Sequence, residues 1–550
     1  MRALFPRYDV RRHAFFLGAL ALIGLALRVR GLAWGLPWTL HIDERLFVCA
    51  KAIRLERSLE SGGLPDPGIT SYGILPLWLL VLARRLFLHV AAGTGPPAYG
   101  DEFAATALLA RWISALAGAL AVVFTGLWAR RFGPATSLVA AAMVAGFPAL
   151  VQAGHFGTVE SLLVAAIAAG MLWAERLAER PTWGRAARAG LLLGIATSVK
   201  APGAVLALPI AHAAWGERVG RGARLALIAL VAAAVVFVVN PTLLLGGSAG
   251  ADTGEHTTLA GNLHRAFSRD FHDWTLPYAH DVPVLTEARK LLPYAAGVLP
   301  EALALVGLAA LFRRRAARDV RLLLVAAPLL LLLFAAHLKT VRFLVPALPA
   351  LAVLAAEGLA ALTARLAPPA RATLAAAVSA AVILQGAAFT AIYAAPDARV
   401  AAARWLDDHV GPREVVGIED PPGYGPPIGS PTPLLTRPPM NVEILWRGFY
   451  QIHEHLEESE RRRRLQDVLD RSDWLALSEG HRAEFTAAPE LRPVEAAFYR
   501  DLDAGRLAFE KVAEFKSYPA LGRWSWKDDG AEVLFRVFDH PRVEIWRKRK

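Results

Sequence analysis

The chain has 550 residues, 55% hydrophobic and 20% charged, with a formal net charge of +12 and one cysteine, Cys49. Apolar content this high, gathered in blocks, excludes an ordinary soluble enzyme and indicates a polytopic α-helical membrane protein. The basic excess lies in short loops between apolar runs, which sets membrane topology rather than binding nucleic acid, and a lone cysteine excludes an intramolecular disulfide.

In chain order, the first apolar run follows Arg2, Arg7, Arg11 and Arg12 and passes into Arg28-Val29-Arg30 with no small-residue cleavage site, so it reads as an uncleaved span. Crossing a bilayer takes about 17–25 apolar residues. Runs near 14–33, 104–128, 135–153, 161–177, 187–200, 203–215, 224–243, 293–312, 320–336, 343–362 and 372–394 predict about eleven spans. The pair 187–200 and 203–215 is short and predicts a broken or re-entrant hairpin around Lys200 and Pro202.

Basic loops at Arg130 and Arg131, at Arg176 to Arg188, at Arg218 to Arg224, at Arg313 to Arg321 and at Arg365 and Arg371 all fall on one side. That side is the cytoplasm, together with the N-terminus, and an odd number of spans puts the C-terminus outside. The segment 72–90 is apolar but interrupted by Arg84 and Arg85; reading it as a span would invert every later loop, so it predicts an interfacial helix within a first outer loop of 34–103.

The outer loops collect the unusual residues. The first holds His41, Asp43, Glu44 and Tyr72, the short loop 154–160 holds His155 and Glu160, and Lys200 marks the broken pair. A long outer loop, 244–291, carries His256, His264, Asp270, His272, Asp273 and Asp281, and Arg342 opens the tenth span. Charged groups from separate segments meeting at one face predict an active site built from loops on a rigid scaffold.

From about 395 the blocks give way to Pro, charge and short alternating runs, so 1–394 reads as a membrane domain and 395–550 as a small outer α/β domain. Ala401 to His409 predicts a helix, Glu414 to Ile418 and Trp474 to Ser478 predict strands, and Val533–Phe538 with Val543–Trp546 predict a closing hairpin.

Each candidate has two readings. Asp43 and Glu44 suit general-base work beside a membrane surface, or serve as a solvated pair or helix cap. Glu160 suits an N-terminal cap as well as a ligand contact. Lys200 and Arg342 suit an anionic ligand such as phosphate, or snorkel toward headgroups. The histidines of the long loop lack a metal-ligand spacing, and the residues leave a divalent metal open; there is no Walker loop, Rossmann glycine pattern or nucleophile elbow.

These segments, in this order, resemble the GT-C glycosyltransferases of the protein O-mannosyltransferase and aminoarabinose-transferase type. His41-Ile42-Asp43-Glu44 stands where that family has its first-loop Asp-Glu signature, followed by Tyr72-Gly73-Ile74-Leu75-Pro76-Leu77. Gly154-His155-Phe156-Gly157-Thr158-Val159-Glu160 resembles the second acidic motif, with Glu where the family usually has Asp. Lys200-Ala201-Pro202-Gly203 and Arg342-Phe343-Leu344-Val345-Pro346 resemble the Gly-rich and Arg-aromatic motifs, and Asp539-His540-Pro541-Arg542-Val543 resembles outer domains of bacterial members.

The resemblance implies an inverting transferase in a bacterial cytoplasmic membrane, moving sugar from a polyprenyl-phosphate donor to a lipid, glycan or protein acceptor at the outer face. It implies Asp43 as base, Glu44 and Glu160 against sugar or acceptor, His41, Tyr72 and His155 around the substrate, and Lys200 and Arg342 on the phosphate. The rivals are a lipid or sugar transporter, which needs polar groups at span centres, a non-catalytic envelope-assembly protein, in which Asp43 would be dispensable, and an oligosaccharyltransferase using a pyrophosphate-linked glycan, against which counts the lack of a Trp-Trp-Asp-type motif in the outer domain.

Overall fold

The computed structural model describes residues 10–91, 99–216, 219–242, 258–271, 273–419, 424–428, 440–445 and 456–549. His256, His272 and most of the Pro- and Gly-rich stretch 421–439 lie outside the described residues.

Helices occupy every predicted apolar run. Among the described residues, six are long and apolar enough to cross a membrane, or up to eight if each bent pair is one span. The chain is therefore a multi-pass membrane protein. Some predicted spans fall short of the length and composition of a span for visible reasons: Trp183–Val199 has 17 residues, and Ala317–Ala335 opens with Arg318, Asp319 and Arg321. Among the described residues two helix pairs are bent at a short break, one of them Glu287–Ala295 against Val298–Arg314 at 108°. Pro134–Gly146 meets Pro148–His155 at 53°, because Pro148 follows the bend. The carbonyls freed there are capped by buried Arg28, whose guanidinium donates to Val144 O (3.0 Å) and Ala145 O (3.1 Å). The helices Val298–Arg314 and Leu348–Leu362 approach backbone to backbone, since a Cβ on Gly307 or Gly358 would lie 1.9 Å from a carbonyl oxygen of the other helix.

The segment read from sequence as the first outer loop is largely helical. A π-helical turn, Glu44–Cys49, runs into the helix Ala50–Glu60, and a second helix spans Leu75–Ala91. Arg84, which interrupts the apolar pattern of that second helix, is buried and donates to Glu56 (2.8 Å) and Glu102 (2.7 Å), tying the loop helices to the next span.

Toward the C-terminus lies a five-stranded sheet in the order β2-β1-β3-β7-β4. Its strands are β1 (Val415–Ile418), β2 (Asn441–Ile444), β3 (Trp474–Ser478), β4 (Phe509–Phe515) and β7 (Val543–Lys548). The first three are parallel, and β7 lies antiparallel between β3 and β4. A separate ribbon joins β5 (Ala520–Leu521) to β6 (Trp524–Ser525). The predicted hairpin of Val533–Phe538 with Val543–Trp546 does not form. Val533–Val537 is a short helix capped by the Glu532 side chain, and Leu534, Phe535, Val537 and Phe538 join the hydrophobic core of the membrane helices. A six-residue, mostly apolar segment carries no period that separates strand from helix, and here tertiary burial decides.

Candidate functional site

Asp43, Tyr72, Glu160, Lys200 and Arg342 come together from five separate segments, as their placement in the outer loops suggests. Arg342 is the hub. Its Nη1 pairs with Asp43, its Nη2 donates to Tyr72 Oη (2.9 Å) and Glu160 Oε1 (2.9 Å), and its Nε lies 3.3 Å from Glu160 Oε1. Lys200 Nζ donates to the same Glu160 oxygen (3.1 Å) and stands 5.1 Å from the centroid of the Tyr72 ring.

Local structure explains each placement. Lys200 occupies the extended break between the helix Trp183–Val199 and the 3-10 turn Ala201–Leu206. Gly73 lets the loop bearing Tyr72 dock on that break: its N–H donates to Val199 O (3.1 Å), and a Cβ there would lie 1.8 Å from Ser198 O. Asn240 clamps the same junction, accepting from Ile74 N–H (2.7 Å) and donating to Ser198 Oγ (3.0 Å). Burial pushes the Tyr72 phenol well above its ordinary pKa, so it stays a neutral hydroxyl.

Three predicted site residues face elsewhere. Glu44, adjacent to Asp43, is fully buried in a bidentate pair with Arg111 (2.8 and 2.7 Å) and also accepts the Gly157 N–H (2.8 Å). Consecutive residues of a helical turn point in different directions, so one acidic neighbour enters the cavity and the other enters the core. His41 is wedged between the rings of Phe156 (4.2 Å) and Phe538 (4.5 Å), and its Nδ1 accepts the Glu44 N–H (3.2 Å). Burial pushes its pKa down to about 4, leaving it neutral. His155 stacks on Tyr393 at 3.7 Å, with its ring nitrogens against the carbonyls of Val151 and Arg30. All three buttress the site without lining it.

The site opens into a cavity of about 1180 Å³. One wall is apolar, built from Leu329, Leu332, Leu333, Phe343 and Pro346, with Leu534 and Phe538 from the C-terminal segment. Its charged lining residues are Asp43, Glu160, Lys51, Arg54, Lys200, Arg265 and Arg342, five cations against two carboxylates. Besides Arg342 and Lys200, which those two carboxylates engage, the cavity is lined by Lys51, Arg54 and Arg265. Sequence reading passed over all three. Lys51 and Arg54 fall at i and i+3 on the helix Ala50–Glu60, a spacing that aims both at one face. Arg265, on the helix Leu259–Phe267 of the long loop, lies 5.8 Å from the Trp274 ring. Asp281 of that loop pairs instead with Lys290 (2.8 Å). Among the described residues no three His, Cys, Asp or Glu side chains gather as a metal site.

Comparison with known proteins agrees with this arrangement at the level of fold. The family model for dolichyl-phosphate-mannose-protein mannosyltransferase matches residues 103–244. No curated protein sequence matches the chain. The archaeal oligosaccharyltransferase AglB from Archaeoglobus fulgidus, in complex with an inhibitory peptide and a dolichol-phosphate, superposes at a TM-score of 0.53 with 16% identity, covering 95% of this chain and 75% of its own. ArnT from Cupriavidus metallidurans, bound to undecaprenyl phosphate, is 14% identical with a TM-score of 0.45 and 98% of each chain covered. The arabinofuranosyltransferase AftD from Mycobacteria is 16% identical at a TM-score of 0.38, covering 100% of this chain and 40% of that one. The likeness to these structures is one of fold, and the mannosyltransferase family model matches only the segment 103–244.

Proposed function

We propose that the protein is an inverting glycosyltransferase that takes a sugar from a polyprenyl-phosphate carrier at the outer face of a bacterial cytoplasmic membrane. The observation that carries this reading is the cavity: one apolar wall, and a polar end lined by five cations and by two carboxylates, Asp43 and Glu160, both paired with Arg342. A polyprenyl phosphate is itself an apolar chain ending in an anion, and the two halves of the cavity match the two halves of that ligand.

In the proposed reaction the acceptor oxygen or nitrogen forms a bond to the anomeric carbon as the bond from that carbon to the phosphate oxygen breaks. The acceptor proton passes to Asp43, and the polyprenyl phosphate leaves as an anion. A phosphate leaving group needs charge neutralisation more than a proton, which Lys51, Arg54 and Arg265 supply together with Lys200 and Arg342. Arg342 also orients Asp43 and Glu160, and it releases Asp43 toward the acceptor as the phosphate takes up its positive charge.

The test presents purified protein in liposomes with a panel of radiolabelled polyprenyl-monophosphate sugars, and compares it with Asp43→Asn. One donor consumed by the native protein and spared by the variant supports the reading. Equal consumption by both removes Asp43 as the base.

A further inference from the structure

The C-terminal segment 532–540 hangs from β7, far in sequence from the membrane helices, yet it reaches the reaction centre from behind. Its anchor is Glu532, which is buried and receives four donors. Two come from its own short helix, Leu534 N–H (2.6 Å) and Phe535 N–H (3.1 Å). The other two come from elsewhere: Val341 N–H (3.3 Å), one residue before Arg342, and the Tyr278 hydroxyl from the long outer loop. The Glu532 N–H in turn donates to Lys290 O (3.1 Å).

We infer that Glu532 is a positioning residue that fixes the start of the Arg342 helix and so sets the guanidinium against Asp43 and Glu160. This rests on the transferase reading for its catalytic consequence and on hydrogen bonds alone for its geometric one. Capping a five-residue helix does not require a carboxylate this buried; a short polar side chain in water performs it. Burial raises the Glu532 carboxyl to about 7 against the pull of its hydrogen bonds, so placing this acidic group here is costly for stability. What distinguishes this carboxylate from a simple cap is the Val341 amide. The first-turn N–H groups of a helix have no partner within it, and a carboxylate placed there fixes where the helix begins. Arg342 is the second residue of that helix. The same segment braces the other partner, since Phe538 packs on His41, two residues before Asp43, and buried Arg399 donates to Phe538 O (3.1 Å) and Leu40 O (3.4 Å).

The experiment uses full-length protein in lipid nanodiscs, with Glu532→Ala, Glu532→Gln and Tyr278→Phe. Hydrogen exchange is followed at residues 341–344, and turnover is followed with whichever polyprenyl-monophosphate sugar the native protein consumes. In Glu532→Ala the Val341 amide exchanges faster while the helix Glu160–Glu179 keeps native protection. Turnover falls on the order of 100-fold through kcat with donor KM unchanged, the scale expected when a reacting group is misplaced by about 1 Å. Glu532→Gln keeps an acceptor oxygen and recovers part of both. Tyr278→Phe shifts both less, in the same direction. Native protection at Val341 in folded Glu532→Ala overturns the inference, as does a kcat equal to native. If Glu532→Ala does not fold, native exchange at Val341 in Tyr278→Phe overturns it. If the native protein consumes no lipid-linked sugar, the transferase reading fails separately, and exchange at Val341 still decides whether Glu532 holds this segment.

Discussion

Asp43 and Glu44 are neighbours in sequence but not in chemistry, and that difference can be measured. Glu44 and Arg111 have no solvent exposure, and the pair shares two hydrogen bonds of 2.8 and 2.7 Å. Replacing Glu44 with Ala strands the Arg111 charge in the core, which costs about 3–5 kcal/mol. It also removes the acceptor of the Gly157 N–H, worth about 1–3 kcal/mol when a buried group is left unpaired. Removing the charge as well, in Glu44→Leu with Arg111→Met, recovers the larger part of that loss. Recovery is incomplete because Arg111 Nη1 also donates to Leu32 O (2.9 Å) and Trp34 O (2.7 Å), and its guanidinium lies 4.6 Å from the Trp34 ring. The assay is unfolding of purified protein in one detergent, with turnover measured on the folded fraction. Glu44→Ala unfolds well before native, the double variant falls between them, and the folded fraction of each keeps turnover within about tenfold, the scale of a remote adjustment rather than a lost acid or base. Native stability with abolished turnover in Glu44→Gln would place Glu44 on the substrate and refute the assignment.

The remaining predictions separate the other groups of the site. Asp43→Asn loses at least about 100-fold in turnover, the share of a positioned base, without losing thermal stability; a variant that keeps native turnover excludes Asp43 as base. Single Ala substitutions at Lys51, Arg54 and Arg265 each weaken binding of polyprenyl phosphate by roughly 10- to 100-fold, as loss of a charged hydrogen bond of about 1.5–3 kcal/mol requires, and binding should also weaken with added salt. Titration of lipid phosphate into nanodiscs measures this, and native affinity in all three variants moves the phosphate elsewhere. His540 sits between Asp539 and Asp528, donating to Asp528 Oδ2 at 2.8 Å; burial alone lowers its pKa, but the two carboxylates prevail and raise it to about 9. A raised histidine contributes stability that is complete below its unfolded pKa of about 6.5 and is lost as pH rises through about 9. The melting temperature therefore falls from pH 7 to 10 in the native protein, and His540→Asn flattens that slope; an identical slope in both assigns it to another group.

The parts of the fold visible in sequence are those encoded locally. Apolar runs mark the helices because a bilayer requires some twenty consecutive apolar residues wherever the rest of the chain lies. Val533–Phe538 defeated the same reading because five apolar residues around Arg536 fit a strand or a short helix equally. The choice was made by Glu532 and by a membrane core to which Leu534 and Phe535 belong. Arg111 was visible as a residue but not as a partner. A guanidinium in the middle of an apolar run needs a carboxylate, and the candidates lay on several loops whose distances no spacing reveals.

Within the site, sequence identified which segments converge but not which side chain of each segment faces inward. The His41–Glu44 stretch shows why. A helical turn rotates about 100° per residue, so the polar residues of this stretch cannot all face one cavity. Asp43 meets Arg342 at the edge of a cavity, where a carboxylate keeps access to a ligand. Glu44 meets Arg111 with no solvent exposure, where a ligand could reach it only by breaking the pair. The same logic separates the cations. Lys200 and Arg342 drew attention because they interrupt apolar surroundings, but Glu160 and Asp43 already engage them. Nothing in the sequence singles out Lys51, Arg54 and Arg265, and the lining of the cavity shows that they face the same space. An incoming anion is drawn to where cationic charge exceeds anionic charge, so the placement of phosphate follows from the balance of the whole lining rather than from the two most conspicuous residues in it.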